Sequence, residues 1–103
     1  MKFLRFAVMD VAKAADVSQA SDKTWASPPP GAKLLAQYAC LGIAFPGQPA
    51  NKIVSIAILE ADSDDVLTAT TYPVALAGAD LWNVPVIEVP AGGAAAVEKK
   101  MRR

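Results

Sequence analysis

At 103 residues the chain has the length of one small domain. Ten basic residues balance ten acidic ones, so there is no net field to draw a polyanion, which argues against nucleic acid as a partner. A single cysteine, Cys40, and no histidine exclude an intramolecular disulfide and a Cys/His zinc set.

Hydrophobic residues make up 53% of the chain and the mean hydropathy is +0.29. A domain of this size buries only roughly two-thirds of its unfolded surface, so the apolar content exceeds what one small core hides. That excess is the first sign of a partner. No apolar run approaches the ~20 residues of a membrane span. The opening stretch begins like a signal peptide, but Arg5 and Asp10 interrupt it, so it reads as a strand and the expected location is cytoplasmic.

In chain order, residues 2–9 alternate as a strand, with Leu4, Phe6 and Val8 on one face and Phe3, Arg5, Ala7 and Met9 on the other. Asp10 offers an N-cap for a helix from Val11, whose apolar stripe of small residues runs through Ala14, Ala15 and Ser18 to Trp25. Ser27-Pro28-Pro29-Pro30-Gly31 stops that helix. Residues 33–44 read as a second strand, residues 45–51 as a loop, and the β-formers of residues 52–61 as a third strand pairing back antiparallel. The acids Asp62, Asp64 and Asp65 suit the start of a second helix, which runs to Leu76 and closes at Gly78, with a kink expected at Pro73. Residues 81–89 form a fourth strand, placed at an edge by Pro85. The expected domain is 1–90. Residues 91–103 form a C-terminal tail whose basic end, Lys99 to Arg103, reads as a solvated terminus or a binding tail.

The order strand-helix-strand-strand-helix-strand is the split β-α-β pattern of ferredoxin-like α+β folds. Right-handed crossovers place both helices on one face of a four-stranded antiparallel sheet. The other face should then alternate apolar and polar, yet both rows of these strands are apolar. Exposing one would leave a patch beyond the ~300–600 Å² that monomers tolerate. The expected solution is a homodimer that stacks the two open faces into an α+β barrel.

The segment Pro28-Pro29-Pro30-Gly31-Ala32-Lys33-Leu34-Leu35, the Phe45-Pro46-Gly47-Gln48-Pro49 loop and Trp82-Asn83-Val84-Pro85-Val86 carry a resemblance to the dimeric α+β-barrel superfamily. Within it, the chain looks most like small bacterial proteins of unknown function that share a Pro-Pro-Gly-x-Lys-x-Leu entry to the second strand. The likeness covers most of residues 2–100 and rests on turn and strand signals. It implies fold and dimerisation. The superfamily also includes cofactor-free monooxygenases, muconolactone isomerase-like enzymes and haem-degrading enzymes. This chain has no histidine, so the haem-binding and histidine-dependent branches do not fit it.

If the strongest apolar row of each strand faces the helices, Arg5, Gln37, Ser55 and Asn83 share the opposite face, inside the dimeric barrel. There they can orient a carboxylate or carbonyl in an apolar cavity, or act as interface polars that fix register. A second set, Trp25, Tyr38, Cys40, Tyr72 and Trp82, can wall a pocket between sheet and helices, with Tyr38 as a proton donor, or simply pack the core. Residues 60–65 lack the spacing and turn glycine of a calcium loop. No metal or cofactor is expected. The functional readings are a homodimer holding a small apolar or aromatic molecule, a cofactor-independent monooxygenase or isomerase acting on one, and a structural or regulatory dimer with a filled interior.

Overall fold

In the computed structural model, which describes residues 1–102, the alternating run after Met1 forms strand β1 (Lys2–Asp10). A 3-10 turn (Val11–Lys13) leads into helix α1 (Ala14–Ala26). Then come β2 (Ala32–Ala39), β3 (Lys52–Ala61), α2 (Asp64–Leu76), β4 (Asp80–Pro85) and α3 (Ala94–Met101). The strands make one antiparallel sheet in the order β2-β3-β1-β4, and α1 and α2 lie side by side on one face of it. This is the expected ferredoxin-like α+β arrangement, with a third helix added. Pro85 does lie on an edge strand. The tail contains helix α3, which buries none of its side chains. Arg103, the last residue of the basic end, lies outside the described residues. No helix among the described residues is long and apolar enough to cross a membrane.

Three boundaries differ from the sequence expectation, each for a local reason. Asp10 does not cap a helix. Its carboxylate accepts from Lys52 Nζ at 2.7 Å and Asn51 Nδ2 at 3.1 Å, and the α-helix starts only at Ala14. β2 ends at Ala39 rather than residue 44, because Gln48 occupies the groups a longer ladder would use: its Oε1 accepts from Ala44 N–H at 2.7 Å and its Nε2 donates to the Lys52 carbonyl at 3.0 Å. β4 ends at Pro85 rather than residue 89. Val86 N–H still reaches the Lys2 carbonyl, but β1 begins there and the partner strand runs out.

At the α2 start, Ser63 Oγ accepts from Val66 N–H at 3.3 Å, and Asp64 and Asp65 occupy the first turn, where the helix dipole favours acids. The helix continues through Pro73 to Leu76. The tight entry into β2 depends on Gly31, with φ +91°. A Cβ there would lie 2.8 Å from an Asp62 carboxylate oxygen, so both dihedral and space require glycine.

The covered face is the reverse of the one expected. Phe3, Arg5, Ala7 and Met9 are the β1 residues under the helices, all buried. Ala7 and Met9 pack with Val17 of α1, Val74 of α2 and Ala79. Phe3 packs with Leu59, Ala61, Trp25, Leu34, Val66 and Leu67. Arg5 lies between these two clusters along β1. A β-bulge between Leu34 and Ala36 also changes rows within β2: Leu34 pairs with Leu59 on the covered face, whereas Ala36 and Tyr38 pair with Ile58 and Ile56 on the open one. The covered row carries its bulk at Phe3, Met9 and Leu59, has alanines at Ala7 and Ala57, and gives Arg5 its partners on α2. Leu4, Phe6, Ile56, Ile58 and Trp82 are turned away.

Candidate ligand-binding site

Between α1 and the β2–β3 half of the sheet lies a cleft of about 470 Å³. Ala7, Met9, Val17, Trp25, Ala57, Val74 and Leu81 supply much of its apolar wall. Arg5, Ser18, Ser21, Gln37 and Ser55 supply its polar groups. Strand pairing explains why they meet. Arg5 is opposite Ala57, which is opposite Gln37, and Ala7 is opposite Ser55 in the next row. One pleated face therefore carries a guanidinium, a methyl group and an amide in line, with a hydroxyl beside them.

Of the residues singled out from sequence, Arg5, Gln37 and Ser55 line this cleft together. Their position differs from the expectation: they lie beneath the helices, not on the open face. Asn83 does not line the cleft, but it pairs with Arg5 across β1 and β4 and receives its Nε–H at 2.8 Å. Tyr38 borders the cleft through its strand, while its row belongs to the open face and its side chain is largely exposed. Cys40 borders it in the same way, and Trp25 lines it directly. Tyr72 is exposed on α2. Trp82 stacks on Phe6 on the open face, ring centroids 5.3 Å apart.

Arg5 is the most constrained group in the site, only 5% exposed. Its Nη1 donates to the Thr70 carbonyl at 3.1 Å. Its Nη2 donates to Thr70 Oγ1 at 2.7 Å and Thr71 Oγ1 at 2.8 Å. Both threonine hydroxyls donate to the Leu67 carbonyl at 2.8 Å, so their lone pairs are left to accept from the guanidinium. Asn83 Nδ2 donates to Thr71 Oγ1 at 3.2 Å, which completes the cage. Every acceptor is neutral. Burial pushes the Arg5 guanidinium down to about 10, so it remains a cation at neutral pH. Gln37 Nε2 reaches Ser21 Oγ of α1 at 3.4 Å across the mouth of the cleft.

Sequence reading missed Thr70, Thr71 and Ser21. Two adjacent threonines in the middle of a helix are a weak signal, since such hydroxyls commonly back-bond to the preceding turn. Here they do so and also accept from an arginine 65 residues away. Among the described residues, no cluster of His, Cys, Asp and Glu could hold a metal.

No protein-family model matches the chain, and no curated protein matches it. Solved structures do share its fold. The C-terminal domain of the MgtC protein from Mycobacterium tuberculosis superposes with a TM-score of 0.57 at 8% identity, covering 86% of this chain and 93% of that one. An unknown protein from Galdieria sulphuraria gives a TM-score of 0.50 at 15% identity, covering 86% of this chain and 46% of that one. At these identities the likeness establishes a small α+β fold and nothing about activity.

Proposed function

We propose that the protein is a homodimer that binds a small, largely apolar molecule in the cleft between α1 and the sheet. The observation that carries the binding reading is the cleft itself: about 470 Å³, within the usual size range of small-molecule sites, mostly apolar with a few convergent polar groups. Its lining contains no carboxylate among the described residues, and no histidine exists in the chain. Tyr38 and Cys40 border it only from the row that faces away from the helices. Binding therefore fits the site better than proton-transfer catalysis, which needs a positioned acid or base.

The dimer reading is supported by the open face. Its centre is Leu4, Phe6, Ile56, Ile58 and Trp82, with Tyr38 and Val84 on the flanking strands. Charges in the same rows fall only at the ends: Lys2 beside Glu60, and Asp10 beside Lys52 and near Asp80. An apolar, aromatic-rich centre with a charged rim is the anatomy of a protein interface. Phe6, Tyr38 and Trp82 alone would each offer on the order of 150–250 Å² to a partner when fully buried. Stacking two such faces about a two-fold axis gives the closed barrel implied by the sequence resemblance.

Native mass spectrometry of freshly purified protein tests both halves of this reading. The expected spectrum is a dimer, with a fraction carrying the added mass of a retained small molecule. A monomer without added mass, together with no binding in a fragment screen, would sink it.

A further inference from the structure

The Arg5 guanidinium is buried with no anion beside it. The ion pairs among the described residues are Lys2–Glu88, Lys52–Asp10 and Arg102–Glu98, and none involves Arg5. A guanidinium has five N–H groups. Four are engaged, one at Nε, one at Nη1 and two at Nη2, all by neutral oxygens. One Nη1 hydrogen has no acceptor among the described residues, and Arg5 lines the cleft. Taking an uncompensated charge out of water is strongly unfavourable. A purely structural role would be served at lower cost by a neutral residue bonding to the same oxygens.

The cleft that Arg5 lines has room for an anion. Ala57 stands between Arg5 and Gln37 in the strand register and projects only a methyl group. Two strand spacings of about 4.8 Å each separate the guanidinium's strand from the amide's. The hydrogen bonds of Arg5 carry its guanidinium toward Asn83 and α2, so a group in the cleft meets Arg5 at one wall and the Gln37 amide and Ser55 at the other. The apolar wall around Val17, Trp25 and Val74 would receive the rest of the molecule.

We infer that the occupant of the cleft carries a carboxylate, which docks against the Arg5 wall and supplies its counter-charge. This rests on the small-molecule reading proposed above. One free N–H and a single positive charge match a monoanion, whereas a phosphate dianion would leave excess charge in a largely apolar site. Charge-assisted bonds of this kind are roughly twice as strong as neutral ones, so the acid should be favoured strongly over its uncharged analogues.

The test uses the intact protein and matched probes: benzoate, 2-naphthoate, hexanoate and decanoate, each beside its primary amide. Backbone amide shifts of Ser21, Gln37, Ser55 and Ala57 give site and affinity by NMR. Because Arg5 variants can fail to fold, the control is Ala39→Trp, which places bulk in the cleft from an exposed strand position. The expected result is that at least one acid shifts these amides and binds tenfold or more tighter than its amide, and that Ala39→Trp abolishes this binding. Acids and amides binding equally in the cleft would overturn the carboxylate inference and leave the small-molecule reading standing. No probe shifting these amides would overturn both. Acid binding that survives in Ala39→Trp, or that shifts only exposed lysines, would assign the effect to the surface and overturn the inference.

Discussion

Under α1 and α2 the sheet presents Arg5, Gln37, Ser55 and Asn83 beside Phe3, Ala7, Met9, Ala57 and Leu59, while away from them it presents Leu4, Phe6, Ile56, Ile58 and Trp82. The polar residues at the centre of the sheet lie on the face with the helices. On that covered side α1 and α2 pack on Phe3, Ala7, Met9 and Leu59. A flat partner such as a second sheet needs bulky, interdigitating side chains. Each face is therefore suited to a different neighbour. The covered face has its helices, and Arg5, Gln37 and Ser55 on it line a cleft. The open face has an apolar, aromatic centre, on which the proposed contact between copies rests.

The comparison can be broken most severely at Ile56, in the middle of the open face. Ile56→Asp would place an unpaired charge at the proposed interface, at a cost on the order of 3–5 kcal/mol per subunit. The expected outcome by sedimentation velocity is a monomer that keeps its far-ultraviolet circular dichroism. An unchanged assembly would show that this face is not the contact. Leu59, fully buried on the covered face, should behave in the opposite way. Leu59→Ala should lower unfolding stability in urea by about 2–5 kcal/mol without altering subunit count.

A smaller effect is expected in the Arg5 cage. Thr70→Val keeps the shape but removes the hydroxyl that accepts from Arg5 Nη2, and should cost about 1–3 kcal/mol. Thr68→Val, one half-turn away and exposed, should stay within about 0.5 kcal/mol of wild type. Equal effects at the two positions would remove the cage's claim to special weight.

The smallest effect belongs to the rim. The hydrogen bond from Lys52 to Asp10 raises the Lys52 ammonium above its usual range. The stabilisation is therefore complete at neutral pH and is lost as the pH rises through the value in the folded protein. Thermal melts across an alkaline series should show this loss in wild type and a flatter profile in Lys52→Met. Identical profiles would place the pair among surface contacts without measurable effect.

Much of this architecture was legible in the sequence. Element order follows from Pro28 to Gly31, the loop of residues 45–51 and the acids before α2, all of them local turn and cap chemistry. The edge position of β4 follows from Pro85. The orientation of the sheet was not legible, because an alternating strand states which residues share a face and not which face meets the helices. Hydrophobic strength favoured the Leu4 row, whereas the structure covers the row of Phe3, Arg5, Ala7 and Met9, in which Arg5 finds its partners on α2. The bulge at Leu35 has no glycine to announce it, so the change of row within β2 was hidden. Grouping Arg5 with Gln37 and Ser55 required only period-two alternation, and the structure brings these three together in one cleft. Thr70 and Thr71 could not be joined to Arg5 from sequence, since that contact depends on how α2 lies across β1.

Sedimentation equilibrium of the wild-type chain tests the complementary roles of the two faces most directly. The open face as a contact between copies predicts a dimer at micromolar concentration, reverting to monomer on Ile56→Asp. A wild-type chain that remains monomeric at that concentration would contradict it.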